Sequence, residues 1–203
     1  MLRDRLIAGG IFAAGLAVLA AFTLPQSSAV AQDVTDGPGP NLTIEVAGST
    51  TGSIVIDLMS DVAPNHVAQI VALAKEGAYD DVVFHRVIDG FMAQTGDVQF
   101  GKRGGDVAQA GMGGSALPDL TAEFSSMPFD RGVIGMARSM DPNSANSQFF
   151  IMFAPAPHLD GQYTVVGRVI SGMEVVDAIK KGDQAANGAV ADPDYMAKVT
   201  VQE

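Results

Sequence analysis

The run FHRVIDGFMAQTGD, residues 84–97, asks for more than a plain strand does. Two β-prone runs, Val82 to Ile88 and Phe91 to Asp97, meet at Asp89-Gly90, a turn signal. Alternation puts Arg86 and Ile88 on one face before the turn, and Met92 and Gln94 on one face after it. If the two runs pair, a guanidinium and an amide meet beside a thioether and the phenyl ring of Phe91. Glutamine can accept one arginine N–H and hold the fork in a fixed direction. His85 alternates opposite Arg86 and points away from this face. Taken alone, the segment is better read as solvated Arg86 and Gln94 over a core of Phe91 and Met92.

The flanking sequence supplies the rest of a β-rich domain. Leu42, Ile44 and Val46 alternate with polar neighbours, as do Ile54, Ile56 and Leu58, across the turn Gly48–Gly52, which predicts a hairpin with one buried face. From Asp61 to Gly77 the period changes. Pro64 suits a first helical turn, Asp61 is placed to cap it, Val67, Ile70, Val71 and Ala74 repeat every three or four residues, and Gly77 stops it. Ser171-Gly-Met-Glu174 reads as a capping box opening a second helix through Val175, Val176 and Ile179 to Lys180, Lys181 and Gly182. Further β-prone runs span Gly132–Ala137, Gln148–Phe153, Tyr163–Ile170 and Met196–Val201, with a Gly-rich stretch from Gly101 to Pro118. Short strands, Gly-rich turns and two helices point to a closed β-barrel or a sandwich with helical caps.

Two more segments carry polar groups beside apolar strands. Asn143–Ile151 leads a polar run into Phe149-Phe150-Ile151, with Gln148 and Phe150 on one face. His158-Leu-Asp-Gly-Gln-Tyr163 is a loop turning at Asp160-Gly161. FHRVIDGFMAQTGD, SQFFI and HLDGQYTVVGRV, in this order, resemble the cyclophilin-type peptidyl-prolyl cis-trans isomerases, especially short exported bacterial members. The resemblance runs from about Asn41 to Gln202.

That resemblance implies a closed eight-stranded antiparallel β-barrel capped by two α-helices, with substrate held outside the packed core. It implies that Arg86 is the catalytic arginine and that Gln94 orients it. Phe91, Met92, Phe150 and Leu159 match the apolar pocket for the proline ring, and Gln148 its polar wall. The backbone of Arg138 matches the segment that pairs with the substrate main chain, although the family's usual residue there is Asn. His158 stands where cyclosporin-sensitive members carry Trp, so weak cyclosporin binding is expected. Tyr163 stands where animal members have His, and Asp89 where Pro is common. The implied partners are proline-containing polypeptides, among them unfolded exported proteins; no metal or cofactor is needed, and a monomer is expected.

Composition fits an exported enzyme. The chain has 203 residues, 47% hydrophobic and 17% charged, which excludes a disordered polyampholyte. Arg3 and Arg5 precede an uncharged apolar run, Leu6–Leu24; Pro25 breaks it, and Ser27-Ser28-Ala29-Val30-Ala31 ends in an A-x-A pattern. These are the parts of a secretory signal peptide, residues 1–31, cleaved after Ala31. The alternative is an uncleaved membrane anchor, since about 20 apolar residues span a bilayer. Residues 32–40 read as a flexible tether, leaving 41–203 as the isomerase domain. Export, to the periplasm, is the expected location.

Other chemistries find little support. Without Cys there is no disulfide, thiolate nucleophile or Cys-bearing zinc site. A net charge of −11, with scattered basic residues, argues against nucleic-acid binding. His66, His85 and His158 fall in separate segments without ligand spacing, and Gly101–Gly105 lacks the order of a phosphate loop, so a flexible surface loop explains it better. No G-x-S-x-G elbow is present. The rival class is a binding module that grips proline-containing segments without turnover. Arg86 and Gln94 together favour the enzyme, because a binder needs only the apolar pocket.

Overall fold

The computed structural model describes residues 35–203; the expected signal peptide and residues 32–34 lie outside them. One antiparallel sheet contains β1 (Asn41–Ala47), β2 (Gly52–Leu58), β3 (Val82–Val83), β4 (Arg86–Ile88), β5 (Met92–Thr95), β6 (Val133–Met136), β7 (Phe149–Met152), β8 (Val165–Ser171) and β9 (Tyr195–Gln202). Their order across the sheet is β3-β9-β1-β2-β8-β6-β7-β5-β4. The count is nine where eight were expected, because the run Val82–Ile88 divides at Phe84-His85. There the backbone leaves the ladder: the Phe84 N–H donates to the Asp194 carbonyl and the Val87 N–H to Gly188. The two edge strands are thus halves of one run, so the sheet must curl until its edges lie two residues apart along the chain. A single curled sheet, rather than a sandwich, is the result.

Alternating apolar residues of this sheet build the main core, with Leu42, Ile44, Ile54, Ile56, Val87, Ile134, Phe149 and Ile151 almost fully buried. Helix α1 (Pro64–Lys75) packs against it through Val67, Ile70, Leu73 and Ala74, while Val71 is only partly covered. The cap of α1 is not Asp61. The first residue before the helix is Ala63, which has no capping side chain, and the carboxylate of Glu123 arrives from a distant loop instead. Glu123 accepts the backbone N–H groups of Asn65 and His66, at 3.2 and 3.1 Å, and the His66 ring nitrogen Nδ1 at 2.6 Å. Burial alone would raise the Glu123 carboxyl, but the bonds from His66 and Asn65 outweigh it and hold the group below the usual range.

The second helix, α2 (Met173–Ala178), is shorter than expected, and its capping box does not form. Ser171 belongs to β8, and Gly172 precedes the helix in a left-handed conformation with φ 87°. A Cβ there would lie 2.2 Å from the Ser53 carbonyl, so only glycine can make this turn beside β2. Residues 35–40 of the expected tether are fastened to β2: the Gly37 N–H donates to Asp57, and the Leu58 N–H to the Pro40 carbonyl. No helix among the described residues is long and apolar enough to cross a membrane.

Candidate active site

The site lies on the strands at one end of the sheet order. β4 and β5 pair with Arg86 directly opposite Gln94 and Ile88 opposite Met92, and β5 pairs with β7 so that Gln94 faces Phe150. The turn at Asp89-Gly90 fixes this register, so the conditional meeting of guanidinium and amide is realised. Arg86 Nη1 donates to Gln94 Oε1 at 3.2 Å and lies 3.9 Å from the Met92 sulfur. Gln94 Nε2 donates to Gln148 Oε1 at 2.9 Å, and Gln148 Nε2 to the Gly113 carbonyl at 2.8 Å.

The other side of Arg86 is held by a residue that sequence reading missed. Nε donates to the Asn187 carbonyl at 3.0 Å and Nη2 to Asn187 Oδ1 at 3.1 Å. Asn187 follows the short turn Gln184–Ala186 with φ 55°. Asn187-Gly188 is itself a turn dipeptide, the one signal that could have marked it. Burial lowers the affinity of Arg86 for its proton, yet a guanidinium remains cationic at neutral pH. Its partners are amides and a thioether, and it makes no ion pair among the described residues. A half-buried cation is thereby aimed without being neutralised.

Beside it opens a cleft of about 190 Å³ lined by Arg86, Phe91, Met92, Gln94, Ala137, Arg138, Phe150, Leu159 and Tyr163. Its floor is the edge of a second core cluster, in which Phe150 stacks on Phe129 and Tyr163 meets both edge-on. Apolar walls with the guanidinium groups of Arg86 and Arg138 at the rim suit a small saturated ring attached to a polar amide. A neighbouring cleft of about 270 Å³ shares Gln94, Ala137 and Arg138 and adds Gly111–Gly113, Ser139, Ser144 and Gln148. Gln148 is therefore in the adjoining cleft rather than in the apolar one. His158 lines neither; it stacks on the outer side of Phe91 with ring centroids 5.7 Å apart.

The Gly-rich stretch does more than connect strands. Asp97 is fully buried and accepts four backbone N–H groups, from Gln99, Phe100, Gly111 and Gly113, at 2.8–3.0 Å. A Cβ on Gly113 would lie 2.5 Å from Asp97 Oδ1, so glycine is what lets the loop close on the carboxylate. The Gly113 carbonyl is then presented to Gln148. His85 packs against the same loop, beside Gly111, and burial lowers its imidazole to about 4. It lines neither cleft, and neither ring nitrogen has a hydrogen-bond partner among the described residues.

The family model described as "Cyclophilin type peptidyl-prolyl cis-trans isomerase/CLD" matches residues 42–201. The chain belongs to the cyclophilin-type peptidyl-prolyl cis-trans isomerases. Such enzymes are isomerases of the EC 5.2.1.8 class. A relative in Brucella suis, named "Probable peptidyl-prolyl cis-trans isomerase", is 62% identical over 153 residues, covering 74% of this chain and 78% of its own. A peptidyl-prolyl cis-trans isomerase-like 1 of Aspergillus fumigatus is 39% identical over 135 residues, covering 64% and 78%. Among solved structures, the cyclophilin AquaCyp293 from Hirschia baltica is similar with a TM-score of 0.66 at 26% identity, covering 81% of this chain and 74% of that one. A Cryptosporidium parvum cyclophilin-type isomerase crystallised with the dipeptide Ala-Pro has the same fold, with a TM-score of 0.67 at 24% identity, covering 80% and 99%.

Proposed function

We propose that this cyclophilin accelerates X-Pro isomerisation in exported proteins during folding, with Arg86 stabilising the twisted prolyl amide. An amide resists rotation because its nitrogen shares a lone pair with the carbonyl, a barrier of about 18–20 kcal/mol. When the bond twists, conjugation is lost and the nitrogen becomes pyramidal and basic. A cationic donor aimed at that nitrogen binds more strongly in the twisted state than in either planar one, which is what lowers a barrier. No bond is made or broken, so the chemistry requires no nucleophile and no cofactor.

The observation that carries this reading is the guanidinium of Arg86, aimed by Gln94 and Asn187 from both sides and, among the described residues, left without a counter-ion at the rim of an apolar cleft. Phe91, Met92, Phe150 and Leu159 would hold the proline ring, and Tyr163 the opposite wall. The Ala-Pro dipeptide present with the Cryptosporidium relative supports proline-containing ligands. A module that only grips such segments would gain nothing from a desolvated cation. The test is a proline cis-trans exchange assay on the mature protein beside Arg86→Ala. Loss of about ten- to hundredfold in kcat/KM is expected, the worth of one charged hydrogen bond; undiminished turnover would remove Arg86 from the mechanism.

The exported setting rests on the N-terminal sequence, with its two arginines, apolar run and small-residue end. Sequencing the N-terminus of protein purified from cells tests it: a start at Gln32 supports cleavage, and a start at Met1 the anchored alternative.

A further inference from the structure

We infer that Arg138 determines substrate choice: its guanidinium gives the cleft beside the proline-ring pocket a fixed positive charge that selects an acidic side chain flanking the substrate proline. The inference rests on the isomerase reading and sharpens its substrate class.

Position comes first. Arg138 lines both clefts, and so do Gln94 and Ala137, so the two clefts share a wall. Successive Cα atoms of a polypeptide are 3.80 Å apart. A chain with its proline ring in one cleft therefore brings a side chain from a residue or two away into the other. Arg138 stands on the wall that such a chain crosses.

The side chain of Arg138 is held still. Nη1 donates to the Ser139 carbonyl and Nη2 to the Gln162 carbonyl, both at 2.9 Å, and the guanidinium carbon sits 4.3 Å from the centre of the Tyr163 ring. These partners fix its place but carry no negative charge. Arg138 makes no ion pair among the described residues, whereas Arg131 is held by Asp177 through two nitrogens.

The charge balance around it is unusual for this chain. Aspartate and glutamate number 23 against 12 lysines and arginines, yet among the described residues no carboxylate lines either cleft, while two guanidiniums do. The acidic groups nearest in sequence or behind the wall are otherwise engaged. Asp97 is buried behind the Gly111–Gly113 loop and holds four backbone N–H groups, and Asp141 accepts the Asn143 N–H on the exposed loop after Arg138. The site is a cationic spot on an acidic protein. A carboxylate on the substrate would supply the missing counter-charge, a neutral amide of the same shape would not, and an ammonium would be repelled.

The test uses short peptides that differ only by Glu, Gln or Lys at one of the two residues before proline or at the residue after it. Exchange rates are measured on the wild type, Arg138→Gln, Arg138→Lys and Arg138→Glu at low and high salt. The wild type is expected to favour Glu over Gln in kcat/KM by about threefold to fivefold at one of these positions, the worth of a partly exposed ion pair, with the preference shrinking in salt. The ratio should fall to about one in Arg138→Gln, persist in part in Arg138→Lys and turn toward Lys in Arg138→Glu. Because the readout is a ratio between peptides, a general loss of activity in a variant does not imitate it. Equal rates for Glu and Gln peptides on the wild type at every position, or a preference that survives in Arg138→Gln, would overturn the proposal. Turnover of all peptides without discrimination would leave the isomerase reading standing, whereas absence of turnover on the wild type would defeat that reading itself.

Discussion

The Gly113 carbonyl accepts Gln148 Nε2 at 2.8 Å, and this contact sets the direction of every hydrogen bond out to Arg86. With its nitrogen turned toward Gly113, Gln148 presents Oε1 to Gln94, which answers with Nε2 and so turns its own Oε1 toward the guanidinium. The buried carboxylate of Asp97 holds Gly113 by its N–H. A backbone carbonyl far from β4 thus decides that an acceptor, not a donor, meets Arg86.

Gln94→Glu should break this order. A carboxylate has no N–H for Gln148 Oε1, and Gln148 cannot turn round without abandoning Gly113. The new charge would also neutralise Arg86, which makes no ion pair among the described residues. We expect kcat and kcat/KM to fall together by about tenfold, the mark of an interaction made in the transition state. Steady-state exchange kinetics that match the wild type would sink the relay.

Arg86→Lys keeps the charge but loses the planar fork that three atoms of Gln94 and Asn187 hold in place. An ammonium on a flexible stem cannot satisfy those acceptors and still face the cleft. Its activity should lie within about threefold of Arg86→Ala, since both lose the aimed donor that is worth about 1.5–3 kcal/mol. A lysine variant close to wild type in the same assay would show that charge alone suffices.

Glu123→Ala should lower stability by about 2–3 kcal/mol, because it leaves two N–H groups of α1 and the buried His66 ring without their acceptor. Asp61→Ala, at the position that the sequence alone suggests as the cap, should change it by less than about 0.5 kcal/mol. Urea unfolding of both variants decides between them; equal losses would put Asp61 back in the capping role.

His85 should make stability depend on pH above the carboxylate range. Its folded imidazole is lowered by burial from 6.5 to about 4, so the unfolded chain takes up the proton first as the solution is acidified. Stability is complete above pH 6.5 and is lost as pH falls toward 4, by about 3 kcal/mol in all. Glu123 and Asp194 are held below their ordinary values, so their contributions disappear at lower pH, as their carboxylates protonate in the fold. In His85→Gln the slope between pH 6.5 and 4 should flatten. An unchanged slope in chemical unfolding would mean that other groups cause it.

How far the sequence could be read depended on the range of the interactions. The β4–β5 hairpin was legible because a turn dipeptide and strict alternation fix its register, and register alone sets Arg86 opposite Gln94. The core stripe of α1 was legible from its helical period, and the apolar set Phe91, Met92, Phe150 and Leu159 from the resemblance of the motifs that carry it. The caps were not. Asp61 and Ser171 have the right chemistry at the right spacing, but Glu123 and a left-handed Gly172 occupy those roles in the fold.

The sequence by itself therefore determined the family, through the order of its motifs, and most strand runs and which side chains share a strand face, since these follow from local periodicity. Only the tertiary structure decided that Asn187 clasps Arg86, that Asp97 seats the Gly111–Gly113 loop behind Gln148, and that among the described residues no carboxylate pairs with Arg86 or Arg138. Each of these joins groups from distant parts of the chain. Their contact arises from the curling of the whole sheet, and no local pattern records it.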